Sequence, residues 1–307
     1  MRRRIHDVLT DLRGGFQPLL FICLLAILLP LMPNFPCEAN AASTVRAAIE
    51  KKVENCHQAV KRTRNGAWIT MLSGYKPSPA ALSALKTAII ETEKKGCTLG
   101  FVLIDINSAR GISFRPDRLF YSASTIKGPY AASIVSLNPG IQISGNALLS
   151  RTLIWSDNAS YNLLTDRYGT APIRLWFLQA GLAFQGVTQS PNVRFSMYYS
   201  PRTLCRLWLR NYSFFQTEAR GRELEVLFRT PNRSAIHEVL GSRYRTDSKA
   251  GWYPDGERRT ANDAGIVYAP SGPYVLALMS TLPADMDSLH RLVYVLNEMH
   301  KEMAAIQ

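Results

Sequence analysis

Ser124 and Lys127 stand three positions apart in the stretch FYSASTIKGPY. Residues at i and i+3 share one face of a helix, so this spacing lets the amine approach the hydroxyl. A serine hydroxyl is a weak nucleophile at neutral pH until a base takes its proton. Lysine can be that base once burial or neighbouring positive charge lowers its pKa. Alone, Ser-x-x-Lys is also what a capping serine followed by a solvated lysine looks like. Two later stretches supply what the pair lacks. Ser156-Asp157-Asn158 offers a second hydroxyl to pass a proton to a leaving nitrogen, and an amide to hold a substrate carbonyl. Lys249-Ala250-Gly251, on an expected strand, offers an ammonium to a substrate carboxylate and a point of close backbone approach at the glycine. Their plain alternatives are a helix cap at 156–158 and a solvent-facing lysine at 249. Taken in order along one chain, the three stretches point to acyl transfer through a covalent serine intermediate. Every group this needs belongs to the protein, so neither a metal nor an organic cofactor is expected.

These residues must be brought together by elements far apart in sequence. Apolar positions recurring on one face predict a helix over 43–62 and a second over 79–94, the latter opened by Pro79 and closed by Gly96. Strands are expected over 99–106 and 112–114, then over 243–252, 260–268 and 273–280, where Pro254-Asp255-Gly256 and Pro270-Ser271-Gly272 mark the turns. Asn262 and Asp263 are read as support for a strand turn. A closing helix is expected over 289–302. Between the strand sets lie helical patterns at 124–137, 148–155, 159–167, 172–180, 201–209 and 222–229. Pro129 is tolerable only in a first turn, where its missing donor costs least. The fold class is therefore α+β: an antiparallel sheet from both ends of the chain, terminal helices on one face, and an inserted all-helical lobe over about 124–235. The site falls where lobe and sheet meet.

The first residues read differently. Arg2, Arg3 and Arg4 precede an apolar run from Leu19 to Leu31, and Ala39-Asn40-Ala41 has the small residues of an export cleavage site. Residues 1–41 are read as a secretory signal peptide, with an uncleaved anchor as the alternative. Residues 42–78 then form an N-terminal helical extension and 79–307 the main domain. The expected location is secreted, periplasmic or otherwise outside the cytoplasm. Export permits disulfides, and of Cys56, Cys97 and Cys205 the preferred pair is Cys56 with Cys97, against three separate thiols. The five histidines form no paired metal motif.

Thirty-six Lys and Arg against 23 Asp and Glu give a net charge of +13. That balance favours association with an anionic cell envelope. The arginines are scattered through apolar patterns without an aromatic-laced basic stripe, which argues against nucleic acid. A monomer acting on a small molecule or peptide is expected.

From about Pro79 to Met303 the chain resembles the penicillin-recognising serine enzymes, and within them the class A beta-lactamase-like group, most strongly in YSASTIKGPY, WSDNASYNLL, DSKAGWYPDG and RRTANDAGIV. The resemblance implies a beta-lactamase/transpeptidase-like fold. It casts Ser124 as the acylated nucleophile, Lys127 as its activating lysine and Ser156 as the proton relay. Asn158 and Lys249 become substrate-binding residues, and Gly251 and Trp252 border the oxyanion hole formed by the backbone N–H groups of Ser124 and Trp252. The substrates implied are an amide, peptide or beta-lactam, peptidoglycan included; a non-catalytic envelope-binding protein on the same scaffold is the remaining alternative.

Three departures qualify the match. Ala250 stands where the family has a hydroxyl. Only 32 positions separate Ser124 from Ser156, so a shortened lobe is expected. Between Asp166 and Glu218 there is neither Asp nor Glu, so the glutamate that activates the deacylating water in class A enzymes has no counterpart. Gln185, Gln189 or Asn192 could position a water there but could not act as a comparable base. Acylation is supported, and rapid beta-lactam turnover is not. Arg258 and Arg259 are candidates for supplementary carboxylate recognition, with Phe120, Tyr121, Trp252 and Tyr253 as cleft walls.

Overall fold

A computed structural model describes residues 37–64, 66, 68–94, 96–184, 188–190 and 193–305, with side chains left aside at 37–41 and 188–190. The apolar run of the expected signal peptide, and Gln185 and Asn192, lie outside the described residues, as does the side chain of Gln189. The chain divides into two compact units, 1–44 and 45–307. All that follows concerns the second, apart from the first turns of helix α1, which runs Cys37–Lys61 and so passes through the expected cleavage point. No helix among the described residues is long and apolar enough to cross a membrane.

Six antiparallel strands make the sheet: β1 (Ile69–Leu72), β2 (Leu99–Asp105), β3 (Gly111–Phe114), β8 (Arg245–Tyr253), β9 (Thr260–Ala269) and β10 (Gly272–Ser280), in the order β1-β3-β2-β10-β9-β8. The two ends of the chain meet where β2 pairs with β10, Leu103 opposite Leu276. Strand alternation then sorts the core. Phe101 and Leu103 join Leu276 and Leu278 in a cluster with α2 (Pro79–Glu93) and the C-terminal helix α10 (His290–Ala305). Val102 and Ile104 join Val275 and Ala277 in a second cluster with the helical lobe. Helix α1 belongs to this second cluster through Val53, Cys56 and Val60. The terminal helices thus occupy both faces of the sheet and not one, because the apolar stripe of α1 matches the lobe side. Residues 45–78 supply this helix and an edge strand to the same compact unit.

Opposite faces also explain the cysteines. Cys56 packs on the lobe face and Cys97 against the other cluster, so the expected pair is not formed, and the three residues are thiols. Burial first, and Asp105 second, push the Cys56 thiol up to about 12.

The lobe contains α3 (Lys127–Leu137), α4 (Ala147–Leu153), α5 (Asn158–Tyr168), α6 (Ala171–Gln179), α7 (Pro201–Thr217) and α8 (Ala219–Glu225); α9 (Ala235–Leu240) leads back to the sheet. Pro129 falls in the first turn of α3 as required. The lobe is not all helical. Strands β4 (Phe120–Tyr121) and β7 (Tyr198–Tyr199) form one ribbon, and β5 (Thr188–Ser190) and β6 (Val193–Ser196) another. Strands of two to four residues are too short to show an alternation. Arg202, in α7, forks onto Asp117 at 2.5 and 2.8 Å and donates to the Thr63 carbonyl at 2.7 Å, fastening α1 to lobe and sheet together.

Candidate active site

Ser124 lies in a short 3-10 turn, Ala123–Ile126, ahead of α3, and not at the mouth of one continuous α-helix. The turn is held from three sides. Ser122 N donates to Met197 O at 2.8 Å, Thr125 Oγ1 donates to Ser122 O at 2.6 Å, and Thr125 also meets the Tyr199 hydroxyl. From the sheet, Asn262 Nδ2 donates to the Tyr121 carbonyl at 2.8 Å. Ala123 adopts φ +43°, a conformation L-residues rarely take.

Strand β8 runs directly against this turn. A Cβ on Gly251 would lie 2.5 Å from both Ser124 N and Thr125 N, so only glycine permits the approach. Trp252 follows on the same strand. This contact places the residues cast as oxyanion donors side by side.

The Ser-Asp-Asn stretch divides its labour. Asp157 caps α5, accepting from Ser160 N at 2.8 Å and from Ser160 Oγ at 2.5 Å. Its neighbours are thereby left to face the site. Ser156 sits at φ +58°, a sparsely populated conformation for a residue with a side chain and of a kind that gathers at functional sites. Lys127 Nζ donates to the Ser156 carbonyl at 2.6 Å and to Asn158 Oδ1 at 2.7 Å. Lys249 Nζ donates to Ser156 Oγ at 2.9 Å and to the Ala250 carbonyl at 2.8 Å. Ser156 therefore bridges two lysines, both essentially excluded from solvent. Asn158, expected to hold a substrate carbonyl, uses its amide oxygen to orient Lys127.

Two buried lysines this close cannot both stay protonated at low cost. Burial first, and the Lys249 ammonium second, lower Lys127 from 10.5 to about 6, against an opposing pull from Asp157. Burial lowers Lys249 to about 7, against the pull of Asp263. Lys127 is thus mainly neutral at pH 7. A neutral amine has two hydrogens and one lone pair, and the two acceptors above take the hydrogens, leaving the lone pair for a hydroxyl proton. Lys249 keeps its proton to the higher pH.

Sequence reasoning undervalues two residues. Asn262 and Asp263, expected to support a turn, are both fully buried within β9. Besides gripping Tyr121, Asn262 accepts from Ser280 N at 3.0 Å and from Thr260 Oγ1 at 2.8 Å. Asp263 points to the other face, where it accepts from Ser234 Oγ at 2.7 Å and Ile236 N at 2.9 Å, and burial raises it to about 7. The signal in the sequence is a pair of polar residues inside an otherwise apolar strand.

Arg258 stands 5.8 Å from the ring centre of Tyr121, which packs on Tyr198 and Tyr253; Arg259 is exposed. Phe120 is buried as core, whereas Trp252 and Tyr253 are half-exposed. Trp155, next to Ser156, is 64% exposed. Glu218 and Glu223, the nearest acids beyond the acid-free stretch, are engaged elsewhere, with Arg46 at 4.0 Å and Ser144 N at 2.9 Å.

The fold is similar to that of solved beta-lactamases. It superposes on the beta-lactamase from Streptomyces albus G with TM-score 0.55 at 19% identity, covering 70% of this chain and 99% of that one. For the beta-lactamase of Desulfarculus baarsii the values are 0.58, 21%, 71% and 97%. For a double mutant of the class A beta-lactamase of the last common ancestor of Gram-negative bacteria, bound to a nitrobenzotriazole, they are 0.59, 17%, 71% and 99%. No curated protein matches the chain. The family model described as "Beta-lactamase enzyme family" matches residues 128–293, more than half of the sequence, and the chain belongs to that family.

Proposed function

We propose that the protein is an exported active-site serine hydrolase that acylates Ser124 with an amide, peptide or beta-lactam and releases the acyl group slowly. The observation that carries this is the hydrogen-bonded chain Lys127–Ser156–Lys249, joined to Ser124 through the same short turn, with Lys127 lowered to about 6 and Lys249 to about 7. Neutral Lys127 takes the Ser124 proton as Oγ attacks the substrate carbonyl. The backbone N–H groups of Ser124 and Trp252 receive the developing oxyanion, an interaction worth several kcal/mol in such sites. Ser156, hydrogen-bonded to the Lys249 ammonium, hands its proton to the leaving nitrogen and is reprotonated from the lysine side. The product is an ester on Ser124.

Hydrolysis of that ester needs a base for water. The acid-free stretch 167–217 supplies no carboxylate, and Lys127 is the neutral amine left at the site. The same observation favours a second reading, a penicillin-binding D,D-peptidase or transpeptidase acting on peptidoglycan, in which slow release of a lactam is expected. Loss of the hydroxyl at Ala250 leaves anion recognition to Lys249 and neighbouring arginines. A purely binding role gives no use for two buried lysines lowered to about 6 and about 7.

Intact-mass spectrometry of the protein with benzylpenicillin, alongside Ser124→Ala, tests this. The expected result is an adduct that requires Ser124 and persists. A transient adduct with released product means efficient turnover through another base. No adduct with penicillin or with a D-Ala-D-Ala peptide ester removes the reading.

A further inference from the structure

At the end of β9 away from Asn262, a second set of groups is arranged around a serine. Ser271 lies in the tight turn between β9 and β10, half-buried. Its Oγ is 3.1 Å from His300 Nδ1, and His300 Nε2 is 2.9 Å from Asp105 Oδ2. Asp105 Oδ1 accepts from both the N–H and the hydroxyl of Ser108, each at 2.7 Å. Burial opposes ionisation of Asp105, but the hydrogen bonds from His300 and Ser108 outweigh it and hold the carboxyl below its ordinary value. The imidazole is fully enclosed, 4.2 Å from the Tyr274 ring, whose own hydroxyl is fixed by Asn297 at 3.0 Å.

We propose that Ser271, His300 and Asp105 form a second nucleophilic serine site, distinct from Ser124, acting on small activated carboxylic esters. In the tautomer that bears its hydrogen on Nε2, His300 donates to Asp105 Oδ2. The Nδ1 lone pair then faces the Ser271 hydroxyl, which is the arrangement of nucleophile, base and orienting group that activates a serine. Gly272 follows at φ +119°, where a Cβ would lie 2.7 Å from Asn107 Nδ2, so only glycine fits beside this amide, whose Oδ1 accepts from Lys52 Nζ at 2.9 Å. In the reaction Ser271 Oγ bonds to the carbonyl carbon while its proton passes to His300 Nδ1. The bond to the leaving alkoxide breaks, and the alkoxide takes that proton. Water, deprotonated in turn by His300, releases the acid and restores the serine. Ser271 is half-buried and His300 fully enclosed, which leaves the serine hydroxyl as the reachable member and suits small esters.

The probe is diisopropyl fluorophosphate, which traps an activated serine by forming an Oγ–P bond with loss of fluoride. It is applied to the full chain carrying Ser124→Ala, so that failure at this site is separate from any failure of the Ser124 reading. Peptide mapping by mass should find the adduct on Ser271. The adduct should be absent from Ser124→Ala/Ser271→Ala, form on the order of 100-fold or more slowly with His300→Gln, and be lost when the protein is unfolded in urea. No adduct on Ser271 in folded protein overturns the proposal, as does equal labelling of folded and unfolded chains. If His300→Gln does not fold, the comparison of folded with unfolded Ser124→Ala decides the question.

Discussion

Removing the charge of Lys249 should move the pH at which the proposed acylation of Ser124 sets in. If neutral Lys127 is the base, the wild-type acylation rate should rise with pH through about 6 and level off as the lysine loses its proton. Lys249 is still protonated there, since it titrates near 7. Both amines bond to Ser156, one to its carbonyl and one to its hydroxyl. Two unit charges roughly 6 Å apart at an effective dielectric of about 20 repel by about 3 kcal/mol. That corresponds to about 2 pH units of depression. Burial, the larger cause, remains in Lys249→Met. The rising limb should therefore move up by about 1 to 2 units, and at pH 6.5 the neutral fraction of Lys127 should fall by roughly 25-fold for a full 2-unit shift. The assay is the pseudo-first-order rate of covalent labelling by a fluorescent penicillin, measured across pH at subsaturating probe. A profile that drops in height while its rising limb stays near 6 would refute the electrostatic account and leave Lys249 a binding role only. The wild type should also lose rate above about 7 as Lys249 gives up its proton.

Gly251→Ala should slow labelling of Ser124 by about 100-fold or more, because its Cβ must displace two backbone amides and a shift of about 1 Å at a reacting group costs that much; labelling kinetics with circular dichroism as the fold control check this. Asn262→Ala should destabilise the protein by roughly 2 to 4 kcal/mol by orphaning buried groups on Tyr121 and Ser280, and should slow acylation as the Ser124 turn loosens, read from urea unfolding and labelling together. Ser156→Ala should cut acylation of an amide by roughly 100-fold or more through loss of the proton relay, and acylation of an ester with a good leaving group much less, measured as a ratio of the two rates. On the acid side Asp105 contributes stability above its ordinary value of 3.8, and that contribution is lost as pH falls through its lowered folded value; Asp105→Asn should flatten this part of the pH–stability curve, followed by thermal melts.

Much of the molecule was legible without coordinates. The strands over 245–253, 260–269 and 272–280 fall within a residue or two of the apolar runs and Pro-Gly turns that mark them, and α2 begins at Pro79. Such elements announce themselves locally, through turn chemistry and a steady period. The types and order of Ser124, Lys127, Ser156, Asn158 and Lys249 likewise singled out residues that the fold brings together, Lys127 with Ser156 and Asn158, and Lys249 with Ser156.

What the sequence could not decide depends on contacts between distant segments. The face of the sheet taken by α1, and with it the separation of Cys56 from Cys97, follows from which side of β2 matches an apolar stripe, a question no local pattern answers. The short ribbons beside the site fall below the length at which alternation can be read. Lys127 and Lys249 carry the same formal charge in the sequence; only packing around both, and the Lys249 charge beside Lys127, lowers one to about 6 and the other to about 7. By itself the sequence determined which chemical groups the protein owns and the elements that carry them. The tertiary structure alone decided their protonation, because a pKa is set by what has been removed from water and what charge has been brought near.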